Sequence, residues 1–432
     1  MIPAARIAAA IEILEDLEER RRPAADAVKD WGLRHRFAGS KDRAAISSLL
    51  FDALRARASS AYVMGAQSGR AIILGMLHMQ RAMSVEAIAE LCSGQGHAPA
   101  SLTDAERDAL EKASLDEAPA YVAGDYPEWL EPQFERAYGD MRISEGRALA
   151  ARAPVDLRVN RLKAKPDRQL TDLAHLGAIA TPFSPMGLRL PVGADGRGPA
   201  LAAEPGLTKG LIEVQDEGSQ IAALLTCAKE GEQALDFCAG AGGKTLALAA
   251  MMGNKGQIYA CDSDGRRLMP IYDRLERAGA RNVQVRAPKA GVLGLTDLAG
   301  RCDLVLVDAP CSGSGTWRRN PDAKWRMRPG ALALRIQEQD EVLQNAQEFV
   351  KPGGRLVYVT CSVLVEENED RIAAFLASHD DFQALDPATM LESAGLASLQ
   401  PFVSKHGPGL RLSPFTTQTD GFFITTLQRK AA

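Results

Sequence analysis

Two rhythms of apolar residues divide the 432-residue chain. From residue 4 to about residue 112 they recur at helical spacing. The stretch 4–20 is rich in Ala, Leu and Glu, and 41–57 sets Ala45, Ile46, Leu49, Leu50 and Leu54 on one face. The pattern predicts further helices over 71–79 and 85–91, with Ser40 and Ser84 as N-caps. Proline and aromatic residues then cluster over 118–132, which marks a boundary. Up to about residue 225 the pattern is mixed: a helix over 134–152, strand-like pieces at 155–159 and 211–214, and a Pro/Gly-rich connection over 182–210. At Val214-Gln215-Asp216-Glu217-Gly218-Ser219-Gln220 an extended piece meets a capped helix that runs to about 227. From Ala234 the rhythm changes to short apolar runs alternating with helices at 266–278 and 331–350. That alternation predicts a doubly wound parallel sheet with right-handed crossovers, closed by an antiparallel strand at 420–427. The fold class is therefore α/β. A helical domain over 1–115 and a small α+β segment over 125–230 precede a Rossmann-like domain over 231–432.

Composition narrows the class. Hydrophobic residues make up 46% and charged residues 25%, as in ordinary globular proteins. The chain has no run of ~18 apolar residues, and its first stretch is too acidic for a signal peptide, so a cytoplasmic monomer without a membrane anchor is expected. Cysteines 92, 227, 238, 261, 302, 311 and 361 show no paired spacing and the six histidines are scattered, which supports neither a disulfide framework nor a metal site. A net charge of −4 speaks against a nucleic-acid partner, but the charge is unevenly spread. Residues 101–150 hold 12 acidic and 5 basic side chains. Two segments run the other way: 152–168 carries Arg152, Arg158, Arg161, Lys163, Lys165 and Arg168, and 318–328 carries Arg318, Arg319, Lys324, Arg326 and Arg328. Either these segments grip a polyanion or they are solvated faces.

Candidate chemistry sits at strand ends. Leu304, Val305, Leu306 and Val307 read as a strand buried on both faces, and the run stops at Asp308-Ala-Pro-Cys311 and a loop of Ser and Gly. A second strand, RLVYVT, ends on Cys361. Open α/β sheets deliver ligand chemistry at the carboxyl ends of their strands, so two thiols at two such ends point to one site. Single cysteines are more often core than catalytic, and Cys92, Cys227 and Cys302 stay in that class.

The stretch LDFCAGAGGKT, 235–245, is a strand, a glycine turn and a helix start, a place where backbone amides face a ligand. It is not a phosphate-binding GxxxxGK[ST] loop, because Cys238 stands where the first glycine is needed. Thr245 likewise replaces the third glycine of a dinucleotide fingerprint. An adenosine-type cofactor without a pyrophosphate remains. Asp262 ends the next strand, 20 positions after Gly242, where a carboxylate accepts ribose hydroxyls; its structural alternative is a helix N-cap. Glycine loop, ribose carboxylate and two thiols together indicate S-adenosylmethionine and covalent activation of a methyl acceptor.

In FCAGAGGKT, ACDSDGRRL, LVDAPCSGSGTWRRNPD, KPGGRLVYVTCSVLVEEN and the closing DGFF, the chain resembles the Sun/Fmu (RsmB-type) family of RNA cytosine carbon-5 methyltransferases. A weaker likeness extends through Arg158-Val159-Asn160 and VQDEGSQ, and 40–55 is similar to the NusB-like helical domain of some members. The resemblance implies catalytic roles for Cys361 as nucleophile at carbon 6, for Cys311 in proton loss and elimination, for Asp308 on the base, and for Lys244. It implies a cofactor lining of Cys238, Ala239, Gly240, Ala241, Gly242, Gly243, Lys244, Asp262 and Asp308. Ribosomal RNA is the expected partner, with the same chemistry on tRNA, or a non-catalytic RNA-binding assembly factor, as the alternatives. Trp317 and Trp325 are candidates for stacking on bases. Two positions depart from the family pattern: Ala241 replaces a proline, and Pro288 stands where an acidic residue near the adenine is usual.

Overall fold

The computed structural model describes residues 1–193, 198–288 and 294–431. The chain folds as two compact units, one of Met1–Ala151 with Trp317–Arg328 and one of Arg152–Thr316 with Pro329–Ala432.

The first unit is helical. Pro3–Arg20, Ser40–Arg55 and Gly69–Met79 bury Ile13, Leu14, Ile46, Leu50, Ile72 and Ile73 in one core. Ser84 caps its helix by accepting from the Ala87 amide at 3.2 Å. Ser40 does not cap: Gly39 takes the cap position and Ser40 is the first helical residue. The helix read over 134–152 is broken, because Gly139 takes a positive φ of 54° with ψ −127°, a conformation open to glycine, between Glu131–Tyr138 and Arg142–Ala150.

The short segment Trp317–Arg328 is built into this unit's core. Trp317 is 1% exposed and stacks on Phe134, itself stacked on Tyr126. Lys324 is equally buried and donates to the carbonyls of Arg55 at 3.0 Å and Asp125 at 2.6 Å. Burial pushes its ammonium down to about 7, although the nearby Asp125 charge opposes the shift. Burial raises the Asp125 carboxyl, against the amide and hydroxyl bonds it accepts from Ser59.

The second unit holds two sheets. The strands of the smaller one are β1 (Val155–Val159), β2 (Ile179–Ala180), β3 (Gly187–Leu190) and β4 (Ile212–Val214), all antiparallel in the order β2-β3-β1-β4. The larger is formed by β5 (Gln233–Asp236), β6 (Gln257–Ala260), β7 (Val283–Val285), β8 (Cys302–Asp308), β9 (Val350–Thr360), β10 (Phe382–Ala384), β11 (Leu410–Leu412) and β12 (Phe422–Arg429). Its order is β10-β12-β9-β8-β5-β6-β7, with β11 on β12. Strands β5 to β9 pair in parallel and β12 runs antiparallel beside β9, giving a Rossmann-like methyltransferase sheet. Leu304 to Val307 are wholly buried, as a strand covered on both faces requires. The helix read over 266–278 is interrupted by Pro270, which separates Gly265–Leu268 from Ile271–Ala278.

The small sheet is tied to the large one through the residues of the weaker likeness. Arg158 donates to Gln215 at 2.6 Å and to the Gly243 carbonyl at 3.3 Å. Asn160 donates to the carbonyls of Gly210 and Ala278 at 2.9 and 2.8 Å, and Glu213 pairs with Arg274 and Arg277. Among the described residues no helix is long and apolar enough to cross a membrane.

Candidate active site

The sheet reverses its strand order between β5 and β8, and ligands of such folds gather at the carboxyl ends there. Asp236 ends β5, Asp262 follows β6, Asp308 ends β8 and Cys361 follows β9. Chain topology alone thus brings the candidate residues to one edge.

The two thiols meet. Cys311 Sγ and Cys361 Sγ are 3.4 Å apart, each half-buried. The hydrogen bond to Cys361, with burial second, raises the Cys311 thiol well above its ordinary range, so Cys311 is protonated at neutral pH. Beside them the Lys244 ammonium donates to Asp308 Oδ2 at 2.7 Å and lies 5.4 Å from the centre of the Phe422 ring. Lys244 is buried, whereas the Asp308 side chain is 34% exposed and accessible to a ligand.

The glycine loop is fastened by the residue read as the ribose carboxylate. Asp262 accepts from the Gly240 amide through Oδ2 and from the Asp264 amide through Oδ1, both at 2.9 Å. It is not an N-cap: Asp264 caps the short helix that follows. Gly242 has φ 83°, and a Cβ there would lie 2.4 Å from Ile271, so this turn admits only glycine. Cys261 is wholly buried and Cys238 partly exposed; burial raises both thiols, in keeping with packing roles. The helix Gly243–Met251 starts at the loop and carries Lys244.

These residues fit S-adenosylmethionine. Each Asp262 oxygen takes only one amide and keeps a lone pair for a ribose hydroxyl. Asp236 is fully buried with Oδ1 unpartnered, while Oδ2 accepts from Thr245 at 2.6 Å. Burial, aided by the charges of Asp308 and Asp262, pushes its carboxyl up to about 7, against the Thr245 bond and the Lys244 charge. Pro288 packs by Gly265, and the rest of the stretch read near the adenine, 289–293, lies outside the described residues.

Sequence reasoning missed the group that holds the two thiol loops together. Glu367, wholly buried, accepts from the Ser312 amide at 2.7 Å, the Ser312 hydroxyl at 2.5 Å, the Ser362 hydroxyl, and Gln339 at 3.0 Å. Each serine directly follows one of the cysteines. The repeated Cys-Ser pair, with an acidic residue soon after the second in VLVEEN, was the signal available. Behind the serines the backbones of Gly315 and Gly421 touch: Gly421 donates to Gly315 at 2.8 Å, and a Cβ on Gly315 would stand 2.1 Å from the Gly421 oxygen.

The basic segments keep only part of their expected role. Arg158 is buried between Gln215 and the glycine loop, and burial lowers its guanidinium to about 10. Arg318 and Lys324 are buried as well. Arg161, Lys163, Lys165, Arg168, Arg326 and Arg328 remain exposed. Trp317 is buried and unavailable to a base. Trp325 donates to the Leu54 carbonyl at 2.6 Å and has the Lys324 ammonium and the Arg57 guanidinium 4.8 and 5.2 Å from its ring.

Comparison with known proteins agrees with this layout. Residues 222–428 match the model of the 16S rRNA methyltransferase RsmB/F family, and residues 126–195 match a ferredoxin-like domain of RsmF/B-like methyltransferases. The ribosomal RNA small subunit methyltransferase B of Sodalis glossinidius is 35% identical over 339 residues, 77% of this chain and 70% of that protein. A probable ribosomal RNA small subunit methyltransferase B from Synechocystis is 34% identical over 322 residues, covering 74% and 69%. Among solved structures, that of PH0851 superposes with a TM-score of 0.73 at 26% identity over 99% of both chains. A methyltransferase homolog protein from Pyrococcus horikoshii gives 0.59 at 27% identity, covering 72% of this chain and 97% of its own.

Proposed function

Because this chain belongs to the 16S rRNA methyltransferase RsmB/F family and uses S-adenosylmethionine, we propose that it methylates carbon 5 of a cytosine in ribosomal RNA through a covalent adduct on Cys361. The observation that carries this reading is the meeting of two thiols, 3.4 Å apart, beside the Lys244–Asp308 pair. A ring carbon of cytosine is a poor nucleophile until addition breaks the aromatic system, and a thiol supplies that addition.

In this mechanism Cys361 gives its thiol proton to solvent and its Sγ bonds to carbon 6, while a proton held between Lys244 and Asp308 moves to ring nitrogen 3, so no free charge builds on the base. The electron pair of the 5,6 double bond becomes available at carbon 5. S-adenosylmethionine, held by the glycine loop and Asp262, supplies an electrophilic methyl group on a sulfonium. Once Cys361 is bonded to carbon, the largest of the influences that raise the Cys311 thiol is gone, and burial is the largest that remains. Cys311 then gives its proton to solvent and takes the proton from carbon 5. Nitrogen 3 returns its proton to the Lys244–Asp308 pair, the 5,6 double bond re-forms, the carbon–sulfur bond breaks and Cys361 leaves as thiolate. The target base must leave its stack to reach both sulfurs.

The test is adduct trapping. Cys311→Ala should accumulate a denaturant-stable RNA–protein complex, and Cys361→Ala should form none. The reverse pattern would exchange the two roles, and absence of a complex in both, with methyl transfer intact, would sink the covalent mechanism. Bisulfite sequencing of ribosomal RNA with and without the gene would identify the cytosine.

A further inference from the structure

We infer that the helical unit contains a second RNA contact, a cavity of about 580 Å³ that binds the phosphodiester backbone of the substrate. Five arginines line it, Arg21, Arg22, Arg57, Arg326 and Arg328, against two carboxylates, Glu18 and Asp322. All lie within the helical unit, since Asp322, Arg326 and Arg328 belong to the segment built into its core. The inference rests on the RNA-methylation reading above.

The carboxylates hold the guanidinium groups without using them up. Glu18 meets Arg57 through one terminal nitrogen at 2.8 Å, and Asp322 meets Arg326 through Nε at 3.1 Å. A guanidinium has five donors, so both arginines keep several for a ligand. Arg22 is the most fully engaged, bound by Asp16 and Asp30 outside the lining. Arg21 makes no ion pair among the described residues. It follows the last turn of Pro3–Arg20 in a left-handed conformation, φ 53°, which is uncommon for a side chain of this size. The carbonyl end of that helix brings about half a negative charge, less than the excess of two guanidinium groups over carboxylates that the lining keeps once Arg22 is set aside with Asp16 and Asp30.

The chemistry selects backbone over base. Arginine forks match phosphate oxygens. Trp325, the aromatic residue of the lining, already has its indole N–H on a carbonyl and two cations on its ring, which leaves no platform for stacking. Such a site reads no sequence. It adds affinity that depends on salt. The segment forming one wall begins six residues after Cys311 in the chain, so phosphate binding there and the thiol loop share one stretch of backbone.

The experiment uses the full-length protein, a 16S rRNA fragment and the double variant Arg21→Gln/Arg328→Gln, whose exposed side chains can be neutralised without opening the core. RNA binding should weaken on the order of tenfold at 0.1 M salt, and the slope of log affinity against log salt should fall by roughly two. The KM for RNA should rise by the same factor. A folded double variant with unchanged affinity and slope would overturn the site. Binding of polyglutamate lost by the variant while RNA binding stays intact would overturn it too, in favour of an acidic protein partner. A wild-type protein that methylates nothing, yet loses RNA affinity on this double substitution, would uphold the contact while refuting the methylation reading.

Discussion

Residues 303–316 and 317–328 are consecutive in the chain and of similar length, yet they obey different logics. The former stretch places Asp308 and Cys311 at a strand end where the backbone makes the side chains available. The latter carries the charge of a cationic strip, but its Trp317, Arg318 and Lys324 face inward as the keystone of the helical unit, leaving Arg326 and Arg328 outside. Position along a regular element determines what a residue can reach, whereas a count of charges says nothing about which of them are solvated.

The sharpest way to break this contrast is at Glu367, which fastens the former stretch. Glu367→Gln keeps the shape but turns one acceptor oxygen into a donor facing serine donors, so kcat should fall on the order of a hundredfold. A merely structural role would leave the yield of trapped adduct in the Cys311→Ala background unchanged, whereas misplacement of Cys361 lowers it.

Lys324→Met should destabilise the helical unit by about 3 kcal/mol, since it removes the partner of a buried group. It also tests a pH effect. The folded pKa of Lys324, about 7, lies below the unfolded 10.5, so between those values the unfolded chain binds more protons and stability rises with pH. Urea unfolding of the full chain from pH 7 to 10 should favour the wild type over Lys324→Met by a margin that grows by a few kcal/mol, on top of the loss above about pH 9 that the buried thiols impose on both proteins. Equal pH slopes in the two proteins would mean that Lys324 does not titrate in this window.

The smallest effect is expected at Arg326, close to Lys324 in the chain but on the outside. Arg326→Gln removes an exposed ion pair with Asp322, worth less than about 1 kcal/mol. A larger thermal shift would place Arg326 with Lys324 rather than outside it.

The sheet was legible because strands buried on both faces leave uninterrupted apolar runs, and the thiol site because its residues stand directly at the ends of those runs. The place of Asp262 after a strand end and beside the glycine loop was legible by spacing, though its bond to the Gly240 amide was not. Glu367 was missed because, although Ser362 lies close by in the chain, its other partners Ser312 and Gln339 lie 55 and 28 positions away, and the local Cys-Ser pattern does not show that one carboxylate joins both loops. Helix breaks at Gly139 and Pro270 had local signals that the apolar periodicity outweighed. The inward turn of Lys324 had none, since its acceptors are the backbone carbonyls of Arg55 and Asp125, a kind of group every residue carries.

The helical unit is assembled from two stretches of chain separated by residues 152–316. During synthesis its first 151 residues leave the ribosome well before Trp317 and Lys324 exist. At about 5–20 residues per second the gap lasts roughly ten to thirty seconds. Until then the places taken by Trp317 and Lys324 against Phe134, Arg55 and Asp125 stand open, and the unit must wait as a partly assembled bundle. Completing it therefore falls late in the birth of the chain, after the strand bearing Asp308 has been made, although its own helices come first.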